Sequence, residues 1–290
     1  MRYRITHTTK YSYTDPVAVC HNLVHLSPRD LPRQTRSGYR LIILPDPSDV
    51  LHQTDAFGNP VEYFSILEAH RGLSLSATSE VEVREAPAPG AGAPWEQVRD
   101  ALPQAAPDAV IRPYLYAFPS AKAPVAAALA EYARAAFTPA RPIVDALREF
   151  TTRVNQDFKY DPRATTVSTP VMEAFEQRAG VCQDFAHVAI ACLRSIGLAA
   201  RYVSGYLRTL PPPGKPRLVG ADASHAWVSL YCGEDGWVDA DPTNAVLPGT
   251  DHITIAHGRD YADVCPIQGV YVGGGGHTMD VSVDVAPIKN

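Results

Sequence analysis

The chain is predicted to be an α+β protein: an N-terminal antiparallel β module, then a core in which helices come first and antiparallel strands second. Three observations lead there. Residues 1 to about 85 carry short stretches of period-two hydrophobicity separated by turn signals. Between Glu85 and Pro94 the stretch EAPAPGAGAP is a low-complexity spacer of Ala, Pro and Gly. From Ala123 the apolar spacing turns helical, and beyond Gly197 it reverts to strands. We therefore expect a β-rich unit over residues 1–90 and a second unit over residues 91–290 that includes the C-terminal strands.

The elements follow in order. Strand candidates run from Arg2 to His7, Val17 to Leu26, Tyr39 to Leu44, Val61 to Leu67 and Leu73 to Val83. Leu44-Pro45-Asp46-Pro47-Ser48-Asp49 and Phe57-Gly58-Asn59-Pro60 are turns, because Pro presets φ and Gly and Asn accept the tight conformations. Beyond the spacer, Val125, Leu129, Tyr132, Ala133 and Ala136 define one helix within Ala123 to Phe137. Pro142 opens a second, with Ile143, Leu147, Phe150 and Val154 on one face. An extended piece, Phe158 to Pro162, precedes a short helix from about Pro170 to Arg178. The stretch from Val181 to Ile196 presents Phe185, Val188, Ala189, Cys192, Leu193 and Ile196 at helical spacing and closes at Gly197. Ala199 to Leu210, Ser224 to Cys232 and Gly236 to Asp241 are strands, and the tail from Val264 to Val285 adds more strand around a Gly273-Gly274-Gly275-Gly276 turn.

At 290 residues, 46% apolar and 20% charged, the composition is that of a globular protein with a sizeable core. A net charge of −5 offers no global attraction to nucleic acid or to an anionic membrane, and both are set aside as partners. The opening MRYRITHTTKYSYTDP lacks the apolar run of a signal peptide, and no segment is long and apolar enough to cross a bilayer, so a cytoplasmic location is expected. The five cysteines form no CxxC pair, which argues against a disulfide framework or structural zinc.

One cysteine stands apart. In GVCQDFAH, Cys182 opens a helix, where unpaired N–H groups and roughly half a positive charge favour thiolate over thiol. Asp184 opposes that effect, so a second activating group is needed. The segment ASHAWVSLYCGEDGWVDADPTN supplies a histidine, His225, at the start of a strand. The return strand carries Asp239 and Asp241. A symmetric two-residue turn would put Asp241 on the far side of the sheet from His225. A five-residue loop or a bulge pairs Asp241 with Trp227, diagonal to His225 and on its face. We expect the second register. Cys182, His225 and Asp241 would then be nucleophile, base and the group that fixes the imidazole tautomer.

GVCQDFAHVAIACLRSIGLAARYVSGYL followed by DASHAWVSLYCGEDGWVDADPTN resembles the transglutaminase-like core, with its Gly-x-Cys helix start, His-Ala-Trp strand and Gly-Trp-x-x-x-Asp-Pro-Thr strand. The early β region resembles the N-terminal domain of bacterial members of that superfamily. The resemblance implies a papain-like arrangement in which Cys182 attacks a carboxamide, forms a thioester and passes the acyl group to water or to an amine. It requires no metal and no other cofactor. Its partner is a peptide or protein substrate with a reactive amide, and hydrolysis is preferred over cross-linking because the bacterial members are not uniformly cross-linking enzymes. The competing reading is an inactive binding module that kept the fold.

The oxyanion would take the backbone N–H of Cys182 as one donor. Tyr160 is the candidate for the other, with Gln183 a weaker one. Trp227 and Asp184 are candidates for the walls of the substrate cleft. Cys20, Cys192, Cys232 and Cys265 read as small core residues, Asp239 as a structural acceptor, and His187 as a helix residue without the second ligand pair a metal would need. Gly205 suggests a close backbone approach, with substrate as one possible neighbour.

Overall fold

The computed structural model describes residues 1–106, 112–209 and 222–288. It is mixed α+β. The first sheet holds β1 (Arg2–Val24), β2 (Gln34–Leu44), β3 (Asp49–Thr54), β4 (Pro60–Ile66) and β5 (His70–Val83). Then come α1 (Trp95–Ala101), α2 (Ala127–Arg134), α3 (Ile143–Asp157), β6 (Lys159–Tyr160), α4 (Val171–Gln177), β7 (Ala179–Gly180) and α5 (Cys182–Ser195). The strands β8 (Ala200–Leu207), β9 (Ala223–Tyr231), β10 (Trp237–Ala240) and β11 (His252–Gly258) form a second sheet in the order β10-β9-β8-β11. Leu210, to which the sequence pattern carries β8, lies outside the described residues. The chain ends with β12 (Ile267–Gly273) and β13 (His277–Pro287).

Two features differ from the sequence expectation. The candidates at Arg2–His7 and Val17–Leu26 are one 23-residue strand, β1. Its pairing with β5 shifts register between Ser12 and Val17, and Pro16, which has no N–H to give a ladder, sits in that irregularity. The tail strands, expected with the second unit, instead complete the first sheet. β13 pairs antiparallel with β1 from Tyr3↔Pro287 to Tyr13↔His277, and β12 pairs with it from Val17↔Gly273 to Val24↔Ile267. A strand as long as β1 has two hydrogen-bonding edges, and β5 and β4 cannot fill both. The tail supplies the remaining partners.

The first sheet packs directly onto the helical part. Tyr3, Ile5, Val81 and Val83 belong to the same buried cluster as Leu129, Phe150, Phe185 and Ile190. Two carboxamides seal the junction. Gln34 Nε2 donates to Thr254 O at 2.7 Å and its Oε1 accepts from Thr254 N at 2.8 Å. Asn59 Nδ2 donates to His257 O at 2.8 Å and its Oδ1 accepts from His257 N at 2.8 Å. Both side chains are buried and stand in for a neighbouring strand along β11, so these backbone groups are not left orphaned in the interior.

The helix α5 is buried on every side rather than on one face: Phe185, Ala186, Val188, Ala189, Ile190 and Leu193 have essentially no exposure. Arg194, also buried, donates to Ala200 O at 2.8 Å and to Arg259 O at 2.7 Å, and burial draws its pKa down to about 10. α5 therefore enters the middle of the molecule with its N-terminus held in a fixed place.

Candidate active site

Cys182 is the first residue of α5 and is half-buried. Asp184 sets the start of the helix: its Oδ2 accepts the N–H of Val181 at 2.8 Å and the hydroxyl of Thr165 at 2.6 Å. Gly180 makes room for this. A Cβ at that position would lie 2.5 Å from Asp184 Oδ2. The Gly-x-Cys-x-Asp spacing is therefore a capping device, and Asp184, expected on the cleft wall, points back into the turn instead. The N–H groups of Cys182 and Gln183 belong to the first turn, where the helix offers them no acceptor.

Parallel pairing of Tyr160 with Gly180 sets the β6 segment beside the helix start. Tyr160 is 55% exposed, and its hydroxyl pKa is raised, first by desolvation and then by the nearby Cys182 sulfur. Gln183 lines the same pocket as Cys182, and its side chain makes a long 3.5 Å contact to Val167 O.

His225 comes from the second sheet. The β9–β10 register runs from Trp237↔Tyr231 to Ala240↔Val228 across the five-residue connection 232–236, the register expected from sequence. Continued by one residue it carries Asp241 to the level of Trp227. His225 Nε2 and Asp241 Oδ2 are 2.7 Å apart. His225 and Cys182 line the same pocket, and the Cys182 sulfur is among the groups that raise the His225 pKa. With Nε2 engaged by Asp241, Nδ1 is the ring nitrogen left for another partner.

Asp241 is fully buried. Its Oδ2 additionally accepts from His252 Nε2 at 3.0 Å and Asn244 Nδ2 at 2.7 Å, and its Oδ1 from the N–H groups of Thr243 at 2.9 Å and Asn244 at 3.2 Å. Burial alone would raise its pKa. The hydrogen bonds from His225, His252 and Asn244, with the His225 charge, hold it well below the usual carboxylate range. Burial likewise works against a charged His225, but its hydrogen bond to Asp241, the Cys182 sulfur and the charges of both outweigh that and push it up to about 10.

Asn244 and His252 escape a sequence reading. Asn244 ends the DPTN turn, and its position three residues after Asp241 is the only local signal for it. His252 has none, because β11 reaches Asp241 only through the fold. His225, Asp241 and His252 also place one ligand atom each within 4.8 Å of one another, close enough to hold a metal ion. Here those atoms are engaged with each other at 2.7 and 3.0 Å as hydrogen-bond partners.

Trp227, the other expected cleft wall, is fully buried behind the histidine. Its ring centroid is 6.0 Å from that of His225, and its Nε1 donates to Asp239 Oδ2 at 3.2 Å. Asp239 is thus a structural acceptor, as its position on β10 suggested. Gly205 serves Trp227 rather than a substrate: a Cβ there would lie 2.2 Å from Ile253 O and 2.5 Å from the indole ring.

Burial raises the Cys20, Cys192 and Cys232 thiols, and these behave as core residues. Cys265 differs from expectation in being half-buried on the wall of the Cys182 pocket, because the tail that carries it crosses the site on its way to the first sheet. His187 accepts the N–H of Tyr261 at 3.1 Å, and burial lowers its pKa to about 4.

The pocket at Cys182 measures about 340 Å³. One side is Cys182, Gln183, Ser224 and His225, and the other is His7, Thr9 and Tyr11 of β1 with Met279 and Val281 of β13. None of the described helices is long and apolar enough to cross a membrane.

Residues 3–82 match the family model for the bacterial transglutaminase-like N-terminal region, and residues 127–242 match that for the transglutaminase-like superfamily. An uncharacterized protein of Mycobacterium tuberculosis is 42% identical over 99% of this chain and 93% of its own length. One from Mycobacterium leprae is 32% identical over 98% of each. A protein-glutamine gamma-glutamyltransferase of Pseudomonas aeruginosa is 35% identical over 43% of this chain and 19% of its own. Among solved structures, a candidate cysteine protease of Cytophaga hutchinsonii has the same fold, with a TM-score of 0.75 at 22% identity over 100% of this chain and 92% of that one.

Proposed function

Because the chain belongs to the bacterial transglutaminase-like superfamily, we propose that it is a thiol enzyme that opens amide bonds through a thioester on Cys182, with hydrolysis as the main outcome. One observation carries this reading: a half-buried sulfur at a helix start shares a pocket with an imidazole whose Nε2 is 2.7 Å from a buried carboxylate.

The proposed steps use the residues gathered at the pocket. His225, whose raised pKa favours the protonated ring, already holds the thiol proton when Sγ attacks the carbonyl carbon. Asp241 keeps Nε2 protonated and stabilises the imidazolium, and its other donors keep it from turning away. The oxyanion meets the Cys182 N–H and the Tyr160 hydroxyl. On collapse the C–N bond breaks, and His225 returns its proton to the leaving nitrogen, which departs as ammonia from a side-chain carboxamide or as an amine from a peptide bond. A water, or a primary amine, then gives a proton to His225 and attacks the thioester, which releases the acyl group and restores the thiol.

Iodoacetamide at neutral pH should alkylate Cys182 at least about tenfold faster than the other thiols, with Cys182→Ala abolishing the fast phase. Uniformly slow alkylation would leave a binding module as the better account. Incubation with a glutamine peptide and a fluorescent primary amine then divides the outcomes: ammonia release alone means deamidation, chain cleavage means a peptidase, and amine incorporation would overturn the preference for hydrolysis.

A further inference from the structure

The face of the first sheet that packs on the core does not stop where the core stops. Along β1 the residues Ile5, His7, Thr9 and Tyr11 share that face with their β13 partners Val285, Val283, Val281 and Met279. Val285 and Val283 are 0% and 2% exposed, whereas Val281 and Met279 are 49% and 56% exposed. The two uncovered residues lie on the wall of the Cys182 pocket. An apolar shelf thus runs out from under the core beside the sulfur.

Among the described residues the backbone edge of the shelf is also open. Asp222 donates its N–H to Val283 O at 3.1 Å, and its Oδ2 accepts from Val285 N at 2.7 Å, so both valines direct backbone groups toward the β9 side. Period-two alternation turns the N–H and C=O of Val281 and Met279 the same way. Among the described residues the chain entering β9 bridges β13 at Asp222↔Val283 alone, and His225 and Ser224 then line the pocket opposite the shelf. Among the described residues no backbone group pairs with Val281 or Met279 on this edge. Donors and acceptors repeating at strand spacing are complemented by another extended polypeptide; a small free amide has no such repeat.

We propose that this shelf is the acyl-donor subsite, and that the substrate is an extended polypeptide segment rather than a small amide. The segment adds to the β13 edge, hydrogen-bonds the backbone of Val281 and lays an apolar side chain on Val281 and Met279, which brings an amide one or two residues away to Cys182. The N-terminal sheet is then the specificity element of the enzyme. This inference rests on the thiol-enzyme reading above.

The test compares thiol reagents on the full chain. Acetyl-Leu-Leu-Gly chloromethyl ketone, acetyl-Ser-Ser-Gly chloromethyl ketone and iodoacetamide each form an S–C bond at Cys182 and release halide, which mass spectrometry follows site by site. The leucine reagent should react at least about tenfold faster than the serine reagent, as expected for one buried apolar side chain. The ratio of its rate to that of iodoacetamide should fall about tenfold in Met279→Lys. It should fall similarly in Val281→Pro, which removes the outward N–H without touching the ladder to β1. Equal rates for the two peptide reagents on the unsubstituted chain, or unchanged ratios in both variants, would overturn the subsite while fast iodoacetamide labelling kept the thiol enzyme. Slow iodoacetamide labelling of Cys182 in the unsubstituted chain would remove both.

Discussion

The two ends of the proposed catalytic line are built to different standards. At the base end, Asp241 is buried and its two oxygens are filled by donors from the β9 strand, the turn after β10 and the start of β11. At the nucleophile end, Cys182 is half-buried, Tyr160 is largely exposed, and Gln183 makes one long contact. In the proposed reaction the base end must hold a proton carrier in one orientation through every step, which low dielectric and fixed dipoles achieve. The nucleophile end must admit a substrate and then let it go. Rigidity is concentrated where nothing enters.

The sharpest way to break the contrast is Asp241→Asn, which keeps the shape but presents an amide to a histidine tautomer that needs a carboxylate. Turnover should fall on the order of 10³-fold. Stopped-flow or endpoint assays on any substrate found will show it, and a loss below tenfold would mean that Asn244 and His252 orient the ring unaided. At the other end, Tyr160→Phe should lower kcat on the order of 10²-fold with little change in KM, as for removal of one oxyanion donor. An unchanged kcat would leave the oxyanion to backbone N–H groups and Gln183.

The smallest effect is one of stability. His225, raised from its ordinary 6.5 to about 10, contributes stability that is complete below pH 6.5 and is lost as pH rises toward 10. Asp241, depressed from 3.8, contributes stability that is present above that pH and is lost in acid. Melting temperature should therefore be flat between about pH 4 and 6.5 as far as this pair is concerned, then decline by roughly a few degrees by pH 10. The alkaline decline should flatten in Asp241→Asn; an identical slope in the variant would detach the His225 shift from the carboxylate.

The residues whose roles are local were legible in the sequence. Cys182 stands at a helix start that its neighbours announce, and of the two registers the spacing of His225 and Asp241 allows, the structure has the expected one with the five-residue connection. What failed depends on contacts far apart in the chain. The tail looked like more of the second unit because alternation shows that a segment is a strand but not which strand it pairs with, and its partner is β1, more than 200 residues away. Trp227 and Asp184 each lie two residues from a proposed catalytic residue, a proximity that suggests the cleft. Trp227 shares the face of His225 but is sealed in against Gly205, and Asp184 folds back as a cap, directions that only the packed helix and Gly205 determine. His252 was invisible for the same reason as β13.

The return of the tail to β1 also governs how the molecule can be taken apart. Scission in the Ala-Pro-Gly spacer would not liberate two independent pieces, since the first sheet is woven from both sides of that point. A fragment ending there would carry β1 with the edge meant for β12 and β13 bare, an invitation to stick to other chains. The remainder would keep sulfur, imidazole and carboxylate together, yet stand them beside a missing wall.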